Sequence, residues 1–436
     1  MTSGPSFDIG VKALREDRGL SERAKKSATV VGAGMVGVCC ALYLQNEGYE
    51  VTVIDLNGPG EETSSGNLGG FGVASCPPAA MPGIIKQVPD MLFKETAPLK
   101  LRWGHVVTAL PWFIRFIAQS SRSNVEANAR ARQSLLDKVH EAMDPLIAEA
   151  GAQDLMNPAG LMFTFESEAA FQKSTYAFDL RKRNGVELDL LNGNEARQVE
   201  PNLSENVVRA YRVANFSNTA DPLRLVQALA QLFLARGGIH HRAEVRGFRV
   251  GSEGVDAVLT DTSEMPVEVL VLAAGVWSRP LAKQLGTSVP LEAERGYHTH
   301  FLGSQVAMTG AIMSVERHVA VTPMLEGIRV GGMAEFAGLD APADMRYAKI
   351  VRAHAQALFP GLASHQEFAE WMGPRPSHPD AKPVIARSPL HRNVLFAFGH
   401  DHLGLTFGGI TGKLISELAT DNTPSVDLEP FRPDRF

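Results

Sequence analysis

The chain has 436 residues, 44% hydrophobic and 21% charged, with 40 glycines and a formal charge of −6. That length suits two interleaved domains with a sizeable core, and the mild acidity gives no basic stripe for nucleic acid. Three cysteines cannot build a disulfide framework, which points to a reducing compartment.

Residues 1–27 alternate charge and polarity without an apolar h-region, so they read as a surface arm with a short helix at Val11–Arg18, not a signal peptide. Ala28–Val31 is an apolar run suited to a buried parallel strand. Gly32, Gly34 and Gly37 then spell G-x-G-x-x-G, and a helical segment begins at Met35 and stops at Gly48. Glu50–Ile54 is a second strand ending on Asp55, 23 residues after Gly32. This is a complete βαβ dinucleotide unit: the glycines allow a tight turn and close approach of a pyrophosphate, the helix N-terminus offers free N–H groups, and Asp55 accepts from ribose hydroxyls. Cys39 and Cys40 fall on the helix as small buried residues. The unit alone does not choose between FAD and NAD.

Leu56–Gly72 holds six glycines, two serines and a threonine, and is expected to bend along the cofactor with Asn67, Gly69 and Gly70 near its reactive ring. From Pro77 to Glu200 the texture is helical. Val106–Ala118 reads either as a buried helix of a second domain or as a surface that touches a membrane or partner. Arg130–Ala150 has apolar residues at helical spacing, and Gly160–Phe165 looks like a strand. Asp221 caps a helix with Pro222 in its first position and a stripe from Leu225 to Phe233. Ile239–Val250 and Val267–Ala274 are strand-like, the latter closed by Gly275. Pro290–Trp371 reads as an antiparallel sheet and Thr406–Ala419 as a last helix. There is no run of 18 apolar residues, no Walker A motif, and no order or spacing that supports a Ser-His-Asp site.

The fold expected is α/β: a Rossmann-like cofactor domain (28–75, 220–286 and 372–436) interleaved with an α+β substrate domain on an antiparallel sheet (76–219 and 287–371). His400 and His402 flank Asp401, but no further ligand cluster accompanies them, so no metal is expected. His240 and His241 point to opposite faces of a strand.

Four stretches carry a resemblance: VVGAGMVGVCCALYLQNEGYEVTVID; TSSGNLGGFG with MPGIIKQVPDMLFKETAPLKLRW; IRVGGMAEFAG with VLAAGVWS; and GPRPSHPDAKPVIARSP with GHDHLGLTFGGITGKLI. They resemble the FAD-dependent D-amino acid oxidase superfamily, and within it the bacterial D-amino acid dehydrogenase branch. The resemblance implies that Gly32, Ala33, Gly34, Met35, Gly37 and Asp55 hold the ADP half of FAD. It places Ser65, Asn67, Leu68 and Gly69 beside the isoalloxazine ring, Val245 near the adenine, and Ala274, Gly275 and Gly373 among the cofactor's neighbours. His400, Leu403, Gly404, Leu405 and Thr406 would face the flavin pyrimidine edge, where a helix N-terminus stabilises negative charge on the reduced ring. Arg375 matches the arginine that clamps a substrate carboxylate, which its two-pronged geometry suits. Tyr297 and His298, with Arg295, are further pocket candidates. The strand HVAVTPM lacks the tyrosine many relatives carry, leaving His318 in its place. No cysteine or histidine stands where covalent attachment is expected, so FAD is non-covalent.

The expected reaction is oxidation of a D-amino acid at its C–N bond, hydride passing from Cα to flavin N5 and electrons onward to a quinone or oxygen, in the cytoplasm or peripherally on the inner membrane. D-proline, cis-4-hydroxy-D-proline and glycine- or sarcosine-type amines are alternative substrates. Rival readings are a non-catalytic FAD-holding subunit and an NAD-dependent dehydrogenase, which leaves the glycine-rich loop and the GHDHLG turn unexplained.

Overall fold

The computed structural model describes residues 26–86 and 98–436. The Val11–Arg18 helix, most of the N-terminal arm and part of the MPGIIKQVPDMLFKETAPLKLRW stretch lie outside these residues.

A six-stranded sheet forms first from the βαβ unit. Its spatial order is Ile239–Arg242, Glu50–Asp55, Ser27–Val31, Val269–Leu272, Val394–Phe398 and Val384–Arg387, parallel except for the last pair. The central strands are buried on both faces, as their unbroken apolar runs require. Gly32 sits at φ +109°, and a Cβ there would lie 2.5 Å from the Ala273 carbonyl oxygen; a Cβ on Gly37 would lie 1.9 Å from the Gly32 carbonyl oxygen. Only glycine lets this turn close.

The helix Met35–Asn46 packs against the final helix, Gly404–Ala419, by an equally close approach: Cβ atoms on Gly408 and Gly412 would meet Met35 Cγ at 2.6 Å and the Cys39 carbonyl oxygen at 2.5 Å. Cys39 and Cys40 are wholly buried in this seam, and burial pushes the Cys39 thiol up to about 12. Asp221 caps the helix Pro222–Ala235, its carboxylate accepting from the Arg224 N–H at 3.0 Å.

The second sheet runs in the order Phe368–Ser377, Glu292–Leu302, Gly327–Phe336, Val319–Met324, Ala311–Ser314, Leu161–Phe165, Arg209–Val213 and Asp189–Asn192, with Leu99–Leu101 beside Gly327–Phe336. Alternation decides its two faces. Leu161, Phe163, Ala311, Met313, Ala320 and Thr322 line a cavity, while Met162, Ile312, Val321 and Val330 pack on Val351, Ala355 and Leu358.

Those last three belong to a helix, Arg346–Leu358, inside the stretch expected to be all sheet. Three further boundaries differ. Arg130–Ala150 divides into Arg122–Leu136 and Val139–Glu149, because Lys138 leaves helical dihedrals and lets both apolar faces turn into one core. Ile239–Val250 breaks at Ala243: the first half joins the parallel sheet and Val245–Val250 pairs with Val255–Thr260 in a separate small sheet. The strand Phe368–Ser377 crosses the expected domain boundary at 371/372, one continuous strand paired along its length with Glu292–Leu302.

Val106–Ala118 lies in a helix, Trp103–Ala118, that is not buried as a whole. Its inner face docks through Trp112, whose ring lies 5.1 Å from Phe336, but Trp103 and Val107 are 79% and 81% exposed, with Leu110, Ile114 and Ile117 continuing the same outward stripe. Among the described residues no helix is long and apolar enough to cross a membrane.

Gly412→Val forces branched carbons against the Cys39 carbonyl; the overpacking should cost about 2 kcal/mol and lower the thermal midpoint, measured by circular dichroism, by several degrees.

Candidate active site

One elongated cavity of about 1190 Å³ runs from the glycine-rich turn to the face of the second sheet. At its first end Gly32, Gly34 and Met35 line the opening of the first helix, and the Met35 N–H donates to Ser64 Oγ at 3.2 Å. Asp55 is held ready by two backbone donors, Ala33 N–H at 2.7 Å and Asn57 N–H at 2.9 Å, which leave its remaining lone pairs for hydroxyls. Val245, Ala274 and Gly275 border the same end with Trp277 and Leu281. Glu62, beside Asp55, is held above the usual carboxylate range by burial and by that neighbour.

The loop that follows departs from expectation at one serine. Ser65 turns its hydroxyl to the Glu62 carbonyl at 2.8 Å, and it is Ser64 that borders the cavity. Asn67 and Leu68 do line it. Gly69 does not: at φ +78° it packs on the Thr219 carbonyl, holding the loop in place. Arg329 organises this loop by donating to the Ser65 and Asn67 carbonyls at 2.9 and 2.7 Å, and burial pulls its pKa down to about 10. Arg329 was not anticipated, since nothing local in GIRVGG marks an arginine that bonds 264 residues away. Gly373 was expected at the cofactor; a Cβ there would instead strike Trp371 at 2.0 Å, as would one on Gly66 at 2.2 Å, so both glycines make room for that indole.

At the C-terminal turn, His400, Asp401, His402, Leu403, Gly404 and Leu405 border the cavity, and Gly404 opens the last helix with its unpaired N–H groups toward it. Thr406 is just behind, donating to the Gly70 carbonyl at 3.0 Å and accepting from the Gly72 N–H at 3.1 Å, which ties turn to loop. His400 gives Nε2 to Thr411 at 2.9 Å, and burial pulls its pKa down to about 3. Asp401 sits at φ +54°; burial opposes its charge, but His402, Arg132 and the Ser377 hydroxyl hold the carboxyl well below its usual range. Both side chains are thus committed within the protein.

Across the cavity, Arg375 donates from Nη1 to Glu294 at 2.8 Å and to the Met333 carbonyl at 3.2 Å. Its Nε and Nη2 have no partner among the described residues, and the guanidinium lies over Gly296, where a Cβ would sit 2.3 Å from Nη2. Met333 takes the rare φ of +62°, opposite the register shift between Arg295 and Tyr297, and this aims its carbonyl at the arginine. The Ser377 hydroxyl stands between two carboxylates, 3.0 Å from Glu294 and 2.9 Å from Asp401.

His298 borders the cavity, stacked on Trp371 with ring centres 5.0 Å apart. Its Nδ1 must donate to the Gly66 carbonyl at 3.0 Å, so Nε2 is left as an acceptor. Burial, reinforced by Arg329, pulls its pKa down to about 3 and keeps the ring neutral. Tyr297 borders the cavity as expected but has no free hydroxyl to offer it, whereas Arg295 does not border it. The Tyr297 hydroxyl is spent on Glu335 at 2.5 Å and Asp344 N–H at 3.2 Å, and Arg295 is fully buried against Glu335 and Met372.

A parallel dinucleotide sheet and an antiparallel sheet closing on one long cavity, with a helix N-terminus at each side, define a FAD-dependent oxidoreductase. The chain belongs to the FAD dependent oxidoreductase (DAO) family, which it matches over residues 27–418. It is 35% identical over 417 residues to a D-amino-acid oxidase of Bradyrhizobium diazoefficiens, covering 94% of this chain and 99% of that one. It is 28% identical to a D-amino acid dehydrogenase of Paramagnetospirillum magneticum, covering 93% and 98%. Its fold is similar to that of glycine oxidase from Geobacillus kaustophilus (TM-score 0.74, 19% identity, covering 94% and 100%) and of L-proline dehydrogenase from P. horikoshii (0.72, 19%, 94% and 98%). The residues fit FAD: Gly34 borders the cavity at the N-terminus of the first helix without a side chain, where a Cβ would meet only Ser64 Oγ at 3.3 Å, and Asp55 presents open lone pairs at the same end.

His298, His378 and His400 are each pulled down to about 3 by burial, against an ordinary value of 6.5. Below pH 6.5 the unfolded chain takes up protons that the folded one refuses, so stability is complete above that value and falls as pH drops toward 3. Urea midpoints measured between pH 7.5 and 4 should therefore decline, each histidine contributing on the order of 1 kcal/mol per pH unit.

Proposed function

We propose that this enzyme oxidises a D-amino acid at the Cα–N bond, with Arg375 holding the carboxylate. The observation that carries the reading is the half-committed guanidinium: Nη1 is fixed by Glu294 and the Met333 carbonyl, and the Nε–Nη2 edge is unpaired at the cavity. That edge is the two-pronged donor a carboxylate matches with parallel hydrogen bonds. The D-amino-acid oxidase relative, alike over nearly its whole length, supports the same substrate class.

Bound FAD supplies the hydride acceptor. Arg375 fixes the substrate in one orientation, and most of the acceleration comes from that positioning. Glu294 and the Met333 carbonyl, both on Arg375, place negative charge and an acceptor beside the clamp, which favours the amino group of the same zwitterion there. His298 is a neutral acceptor through Nε2. Leu161, Met313 and Ala320 make the opposite wall apolar and exclude water. The N-terminus of Gly404–Ala419 favours negative charge at its edge of the cavity.

In this reading Gly32, Gly34 and Asp55 hold the ADP half non-covalently, Asn67 and Leu68 border the ring, and the two sheets act as cofactor and substrate units. Arg375→Ala should raise KM for a D-amino acid by about a hundredfold while the protein remains yellow. Anaerobic bleaching of the flavin band by D-amino acids checks the reaction; equal KM in the variant counts against the clamp.

We further propose a quinone acceptor reached at a lipid surface through the outward stripe of Trp103, Val107, Leu110 and Ile114. Supporting it is the spacing, which puts four large apolar side chains on one solvent-facing side of a single helix. Changing Trp103, Val107 and Ile114 to Ser should weaken sedimentation with phospholipid vesicles by about tenfold or more and leave turnover with a soluble dye acceptor intact.

A further inference from the structure

A second arginine borders the cavity far from Arg375. Arg181, on the helix Glu168–Arg183, reaches inward so that its guanidinium carbon lies 4.7 Å from the ring centres of both Phe163 and Phe178. Nε donates to the Ala74 carbonyl at 2.9 Å and Nη1 to the Ala177 carbonyl at 3.2 Å. Nη2 has no partner among the described residues, and none of their carboxylates is in ion-pair reach.

Four other enclosed arginines each have or feel a carboxylate. Arg295 has Glu335, Arg435 has Asp380, Arg329 feels Asp221, and Arg132 feels Asp401 and Asp380. Around Arg181, burial first, partly opposed by the Cys76 thiol and reinforced by repulsion from Arg132, pulls its pKa down to about 10, so it stays charged at neutral pH. A cation removed from water without a counter-ion is costly, and the cost falls if the cavity receives an anion.

We propose that Arg181 is a second anion subsite, which takes the distal carboxylate of an acidic D-amino acid while Arg375 holds the α-carboxylate. The proposal rests on the D-amino acid reading above and narrows it to dicarboxylic substrates. Spacing supports it. Met333, at Arg375, and Phe163, under Arg181, lie on strands three steps apart in one sheet, roughly 14 Å at about 4.8 Å per step. Both guanidinium groups sit at these two anchors, so with about 4 Å from each to the carboxylate it holds, roughly 6 Å remains between the two carboxyl carbons, the span of a glutamate-length or slightly longer side chain. Phe163, Phe216 and Met313 line the interval, which suits methylenes.

The test compares D-glutamate and D-2-aminoadipate with their neutral analogue D-glutamine, using purified holoenzyme. Wild type should favour the acids in kcat/KM by about tenfold or more, the scale of one charge-assisted pair. Arg181→Met should abolish that preference and leave D-norvaline within about threefold. Arg181→Lys keeps the charge without the fork, and decides the matter if the Met variant fails to fold: it should weaken the preference without removing it.

A turnover-free measurement separates this proposal from the one it rests on. Glutarate and butyrate are titrated against the flavin absorption spectrum. Glutarate should bind wild type more tightly than butyrate, and the two should converge in Arg181→Met. Equal handling of D-glutamate and D-glutamine together with equal glutarate and butyrate affinities overturns the subsite. So does a uniform loss on all substrates with a shifted flavin reduction potential, which assigns Arg181 to the cofactor. If no D-amino acid bleaches the flavin, the substrate reading falls while the glutarate titration still decides the subsite.

Discussion

The site depends on one chain of charge, Arg375–Glu294–Ser377–Asp401, that ties the second sheet to the turn opening the last helix. Glu294 immobilises one side of Arg375 and leaves the other side open. The Ser377 hydroxyl, with a single hydrogen for two carboxylates, keeps Glu294 and Asp401 close, and Arg132 and His402 balance the charge behind them. Because Phe368–Ser377 carries both Arg375 and Ser377, the half-paired arginine and the turn before the last helix are mechanically one piece.

Around that chain the cavity is assembled from charges and neutral dipoles that are fixed before any ligand arrives. His298 and His400 are kept uncharged by burial, so neither competes with the arginines for an anion. Arg329 spends its donors on the Ser65 and Asn67 carbonyls and thereby shapes the loop. Preorganisation of this kind costs stability at acid pH, where the buried histidines would rather be protonated.

Much of the βαβ end of the cavity was legible in the chain because its determinants are local. Gly32, Gly34, Gly37 and Asp55 sit within one βαβ unit whose turn, helix and strand are decided by neighbours in sequence. The end against the second sheet was less so. Ser64 and Ser65 are equivalent in the sequence, and only the loop's path turns one inward. Tyr297 and His298 are adjacent on one strand and so leave it on opposite faces, but only the packing shows that the hydroxyl is taken by Glu335 while the imidazole faces the cavity. The helical spacing of Ala348, Val351, Ala355 and Leu358 was present to be read, but lay inside a stretch dominated by strand patterns.

By itself, then, the sequence determined the dinucleotide turn, the alternation of the two sheets, the family resemblance and the candidacy of Arg375. These rest on backbone sterics and on periodicity, which are short-range. The tertiary structure alone decided which edge of Arg375 is free, which serine borders the cavity, that Trp103–Ala118 turns an apolar stripe outward, and that Arg181 enters the cavity without a counter-ion. Each of these is set by side chains brought together from distant segments, and pairing, burial and charge balance exist only once the chain has folded.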